Sequence, residues 1–188
     1  MIFQILNAIE KEINSQVKYA FGISEDVIIL SNIVDQNGNK ALQQDNIINF
    51  TLLRIEEDKT LNKVGGWQGN FGRNTPTLIN LYLLFSASHT GKQYPDGVNL
   101  ISWILQYFIT NNKFTHSELP NLPSDVDSIT FELQNMDVRD LSNLWGSMGS
   151  KLLPHVCYKI GMIPIYKDSS MNNESELIKG IGKNLDAL

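Results

Sequence analysis

The chain has 188 residues, 42% of them hydrophobic, and a formal net charge of -5. That length is enough for one domain with a real core. The acidic balance argues against nucleic acid as a partner, because a phosphate backbone is held by clustered Lys and Arg that displace counterions. A single cysteine, Cys157, excludes an internal disulfide and a Cys-rich zinc site. The N-terminal residues lack a basic stretch followed by a small-residue cleavage site, and no apolar run approaches the roughly 20 residues that span a bilayer. No membrane insertion is expected, and the chain is expected to be made and kept in the cytoplasm.

Ile2, Ile5, Leu6, Ile9, Ile13 and Val17 recur at helical spacing with polar residues between them, which predicts an amphipathic helix over residues 2–19 that ends at Gly22. Val27–Leu30 and Ile47–Ile55 are strand-like and expected to pair. Between them, Asp35-Gln-Asn-Gly-Asn39 carries the side chains and the glycine that tight turns use.

Residues 58–75 have no period of 2 or 3.6 and read as a loop. Within it Trp67, Phe71 and Arg73 are candidate interface anchors, since buried interface centres favour aromatic residues and Arg. The alternative is that the aromatics fold back on their own domain. Leu78–Ala87 is a short apolar run expected to be a central strand buried on both faces. Pro95 and Asp96 open a second helix whose expected core stripe is Val98, Ile101, Leu105, Phe108 and Ile109, widened by Trp103 and Ile104. Lys113–His116 is a short segment, and two prolines predict an extended connector over 119–124.

The clearest unit is strand, helix, strand over 131–165. Asp137 is a good N-cap, and Asp140 meets the positive end of the helix dipole. Val138, Leu141, Leu144, Trp145 and Met148 share one stripe that should bury against a sheet, and Gly149 and Pro154 supply the stop. From Lys167 the composition turns to Ser, Asn, Glu, Gly and Lys. Only Leu177, Ile178, Ile181 and Leu185 offer a thin helical stripe there, so 167–188 reads as a C-terminal arm or flexible tail and those four as candidate interface residues.

No catalytic constellation emerges. Ser147 in Gly146-Ser147-Met148-Gly149 lies inside a predicted helix and lacks the glycine pattern of a nucleophile elbow. Gly91-Lys92 is followed by Gln93, without the hydroxyl or the preceding glycine of a phosphate loop. His89, His116 and His155 have no ligand neighbour at metal-binding spacing. Glu56-Glu57-Asp58 crowds carboxylates enough to raise one pKa, but ion pairing with Arg54 and Lys59, or exposure at a strand end, accounts for it. No enzyme activity, cofactor or metal is expected.

Asn143-Leu144-Trp145-Gly146, Leu153-Pro154 and Tyr158-Lys159 resemble the cap (terminator) protein family of extracellular contractile injection systems, of the antifeeding-prophage and virulence-cassette type. Leu30–Ile33, Arg54–Leu61, Asn80–Phe85, Phe114-Thr115 and Phe131–Leu133 follow that family's landmarks in order, so the resemblance spans residues 1–166. Within it Asn143, Leu144, Trp145, Gly146, Pro154 and Tyr158 are expected as a core signature. The expected fold is α/β (α+β), one tail-terminator-like mixed sheet of about five to six strands covered by about three helices. The resemblance implies a structural cap, not an enzyme, that forms a ring with copies of itself, a hexamer by analogy. It would terminate the inner tube and contact tube and sheath proteins of a phage-tail-like particle, released or anchored. A stand-alone binding or assembly module of such a particle is the alternative.

Overall fold

In the computed structural model residues 1–59 and 76–166 are described. Helix α1 (Ile2–Phe21) buries Ile5, Leu6, Ala8, Ile9, Ile13 and Val17 and ends at Gly22, whose φ of 65° closes the last turn with its N–H donating to the Lys18 carbonyl. Glycine meets that left-handed conformation without a Cβ penalty. Strands β1 (Ile28–Leu30), β2 (Ile47–Glu57), β3 (Thr77–Ser88), β4 (Lys113–Thr115), β5 (Ser128–Gln134) and β6 (His155–Ile165) form one sheet in the order β1-β2-β3-β6-β5-β4. Only β1 and β2 run parallel. With α2 (Tyr94–Thr110) and α3 (Val138–Met148), the described residues hold three α-helices and a six-stranded mixed sheet, the α+β class expected.

The sheet separates two apolar layers. Leu81, Leu83, Phe85 and Ala87 of β3 face α1 and α2 and join the main core, where Phe50 stacks on Phe85 at 4.7 Å and Phe108 on Phe131 at 4.0 Å. Leu84, from the alternate face of β3, packs with Ile33, Trp145 and Cys157 under α3. A strand buried from both sides reads as a continuous apolar run, and β3 is that strand. Asp35 closes the turn before β2 by accepting from the N–H groups of Asn37 and Asn39, both at 2.8 Å, with Gly38 at φ 79°.

Three expectations need correction. The buried stripe of α2 is Gly97, Leu100, Ile104 and Phe108, whereas Val98 and Ile109 are 36% and 67% exposed. Ile104 and Phe108 are buried as expected and Ile101 and Leu105 pack at the margin of the core, so only the edges of the stripe differ. Gly97 sits directly against the His89 ring, where an added Cβ would lie 2.8 Å from it. The connector after β4 is a run of turns that buries Leu119, Leu122 and Val126, with Leu122 N–H donating to Leu119 O and Val126 N–H to Pro123 O. Proline fixes φ at a value that also starts turns, so it did not force extension. Val138 is 83% exposed, and Trp145 is the one buried residue of α3. The first turn of α3, capped by Asp137 accepting from Asp140 N–H at 2.8 Å, stands off the sheet.

Candidate interface on the open sheet face

On the α3 side the described residues cover only part of the sheet, and its register lines up residues far apart in sequence. Glu132 of β5 is opposite Lys159 of β6, Lys159 opposite Tyr82 of β3, and Tyr82 opposite Arg54 of β2. The result is one row across four strands. Lys159 Nζ donates to Glu132 Oε2 at 3.3 Å, the Arg54 guanidinium carbon lies 4.2 Å from the Tyr82 ring centroid, and Arg54 Nη2 donates to Glu56 Oε2 at 3.1 Å. A bulge makes the row possible: Leu52 pairs with Leu83 and Arg54 with Tyr82, so Leu53 is the extra residue that turns Arg54 onto the face of Tyr82.

Magnitudes assign the row to the surface rather than to the fold. Exposed ion pairs contribute about 0–1 kcal/mol and exposed cation–π pairs about 0.5–1 kcal/mol. The Arg54, Glu56 and Glu132 side chains are 59%, 45% and 58% exposed. Among the described residues these groups are held in place by the sheet and left exposed.

Beside the row, between α3 and the sheet, lies a cleft of about 610 Å³. Its helix wall is Asp140, Asn143, Leu144 and Ser147, an i, i+3, i+4, i+7 face of α3, and its floor includes Leu53, Tyr82 and Cys157. The wall opposite α3's buried Trp145 thus carries polar groups around one half-buried leucine. Burial pushes the Cys157 thiol up to about 11, with Arg54 pulling the other way, so it is a protonated, apolar floor group rather than a nucleophile.

Of the expected core signature, Trp145 and Tyr158 are 4% and 2% exposed and Leu144 and Pro154 are half-buried. Asn143 and Gly146 are exposed and are not core residues. They lie two positions before and one after Trp145, and at 3.6 residues per turn neither can share its direction. Trp67, Phe71, Arg73, Leu177, Ile178, Ile181 and Leu185 lie outside the described residues.

The residues weighed for chemistry stay apart from one another. Ser147 is inside α3, with its hydroxyl donating to the Leu144 carbonyl at 2.9 Å. His89 is 6% exposed, and burial lowers its pKa. His155 Nδ1 donates to Leu153 O at 2.8 Å, and His116 is exposed. Glu56 pairs with Arg54, and Asp58 accepts from Asn80 Nδ2 at 3.2 Å. Among the described residues no group of three or more His, Cys, Asp or Glu is placed to hold a metal ion, and no helix is long and apolar enough to cross a membrane.

The sequence model of the family described as Pvc16 N-terminal domain matches residues 4–175. No curated protein matches the chain. Among solved structures, the fold is similar to the sheath/tube terminator of an extracellular contractile injection system, PVC, in the extended state. That likeness has a TM-score of 0.61 at 15% identity, over 92% of this chain and 58% of that one. The fold is also similar to the tube-terminating cap of the anti-feeding prophage, with a TM-score of 0.55 at 18% identity over 84% of this chain and 54% of that one. The chain therefore spans a little over half the length of the solved structures it resembles.

Proposed function

The chain belongs to the Pvc16 N-terminal domain family, and from that premise we propose that it is a structural cap which ends the inner tube and sheath of a phage-tail-like contractile injection system. The observation that carries this reading is the family match, which runs through nearly the whole described fold. The likeness in fold to a sheath/tube terminator and to a tube-terminating cap supports it.

The physical task is to satisfy the subunit surface that the last tube ring exposes while offering no surface that recruits another ring. A ring of copies, a hexamer, does this with modest single contacts, because repeated contacts around one axis act together. Residues 1–166 form the cap domain, and 167–188 form an arm. Trp67, Phe71 and Arg73 are anchors toward tube or sheath, and the Arg54–Tyr82–Lys159–Glu132 row supplies polar register on a rigid sheet. The cap works by contact and without catalysis or cofactor. It is assembled inside the cell and becomes part of the particle.

Electron microscopy of purified particles bearing an epitope-tagged chain tests this directly. Label at one end of each particle, the end opposite the spike, is expected; label spread along the shaft, or absent from particles while the protein stays free in solution, would contradict it and favour a stand-alone module.

A further inference from the structure

His89 follows the last residue of β3 and lies beneath the start of α2, 6% exposed. Gly97 presses on it so closely that an added Cβ would lie 2.8 Å from Cγ and 2.9 Å from Nδ1. Among the described residues Nδ1 is buried without a hydrogen-bond partner. A neutral imidazole tolerates that seat, whereas an imidazolium brings two N–H donors and a charge, and both need acceptors. We propose that the start of α2 is an acid-released latch: His89 must leave its seat under Gly97 to take up a proton, and its departure frees the first turn of the helix.

The surroundings give the ring a place to go. A pocket of about 410 Å³ opens beside it between the end of α1 and the start of α2, and His89 shares its lining with Phe21, Asn46, Gln93, Asp96 and Asn99. Among the described lining residues Asp96 alone carries a charge, and it acts to raise the His89 pKa. Lys40, on the turn before β2, acts against protonation, but it is paired with Asp45. The end of α1 and the loop after it add the Lys18–Asp26 pair and the exposed Glu25, and the turn before α2 adds the exposed Lys92. Asp96, in the first turn of α2, is therefore the group that receives the swung-out imidazolium.

The helix start is lightly held. Residues 90–96 are all exposed, the N-cap residue Gln93 makes no side-chain capping bond, and the preceding turn is closed by Gln93 N–H donating to Thr90 O at 3.2 Å. A first turn without a side-chain cap leaves its orphan N–H groups to water. Gly97 is the first residue of α2 to bury, so its contact with His89 pins that turn. Burial lowers the pKa of the seated ring, and release lets it return toward 6.5. The latch is therefore closed above pH 6.5, and protonation favours the released state as pH falls below it.

Two NMR measurements on the full chain between pH 7.5 and pH 5.0 test this. One follows the titration of the His89 ring. The other follows amide exchange at residues 98–101, whose N–H groups bond the first-turn carbonyls, expressed as protection factors so that the intrinsic pH dependence of exchange drops out. Protection at 98–101 is expected to fall about tenfold, in step with the His89 titration, while α1 and β3 keep theirs. In His89→Gln that pH dependence should vanish. Protection that holds while His89 titrates would overturn the proposal, as would an equal fall in His89→Gln or a fall shared by every element, which is global unfolding. If His89→Gln does not fold, the wild type decides alone: a loss whose midpoint departs from the His89 titration removes the latch.

Discussion

Asn14 of α1 holds both backbone groups of Ile28 in β1: its Nδ2 donates to the Ile28 carbonyl at 2.7 Å, and its Oδ1 accepts from the Ile28 N–H at 3.0 Å. Oδ1 also accepts from Val27 N–H at 3.1 Å, and Glu10 Oε1 accepts from Leu30 N–H at 2.7 Å. An edge strand normally presents such groups as a template for another chain. Here a helix side chain occupies them, so the β1 edge is closed to strand addition, and Asn14 is a polar residue buried to 4% exposure for that purpose.

Asn14→Leu should therefore be costly despite its similar size and apolar character. It leaves a buried N–H and a buried C=O without partners, at about 1–3 kcal/mol each. Urea unfolding of the full chain is expected to show a loss of roughly 2–5 kcal/mol, with aggregation on refolding as the edge opens. A change under about 0.5 kcal/mol would mean that the edge has another cover.

The two glycines inside helices, Gly97 of α2 and Gly146 of α3, behave oppositely. Gly97→Ala would place a methyl 2.8 Å from the His89 ring and should destabilise by about 1–3 kcal/mol through overpacking. Gly146 in α3 has nothing within 4 Å of an added Cβ, so Gly146→Ala should stabilise by about 0.5–1 kcal/mol through helix propensity. Thermal melts of the pair check this. If Gly146→Ala is stabilising yet impairs particle capping, that glycine serves the interface and not the fold.

Trp145→Ala should cost about 3–5 kcal/mol, since Trp145 centres the smaller apolar cluster with Leu84, Ile33 and Cys157. Among the described residues its buried Nε1 has no hydrogen-bond partner, so Trp145→Phe should cost much less than the alanine change. A melting temperature unchanged in Trp145→Ala would assign the residue to an interface instead.

Burial lowers the His89 pKa below its ordinary 6.5, while Asp96 acts to raise it and Lys40 to lower it. The unfolded chain therefore takes up this proton first on acidification. His89 contributes stability that is fully present above pH 6.5 and is lost as pH falls toward the folded-state value. Asp35 and Glu118, both lowered by hydrogen bonds to their charged forms, lose their contributions further down, below 3.8 and 4.5. Unfolding free energies measured between pH 7 and pH 5 should fall for the wild type and fall less for His89→Gln.

Periodicity found α1, β3, and the strand-helix-strand unit around α3, because each buries a stripe or face whose spacing is local. It found Ile104 and Phe108 of α2 but set the edges of the stripe wrongly, taking Val98 and Ile109 for core and missing Gly97, whose approach to His89 is a tertiary contact with no local mark. The Arg54–Tyr82–Lys159–Glu132 row was equally hidden. Its members come from four strands, and only the register and the Leu53 bulge bring them together. The motif around Trp145 marked the right helix, but its exposed members Asn143 and Gly146 show that a recurring motif is not the same thing as a core. The Asn143 side of α3 lines the cleft instead.

The central claim is that this chain ends tube growth, and the length distribution of tubes tests it most directly. In cells producing the particle without this chain, electron microscopy should show tubes of broad and excessive length. Restoring the chain should return a single narrow length with closed ends. Identical narrow distributions with and without the chain would contradict the account.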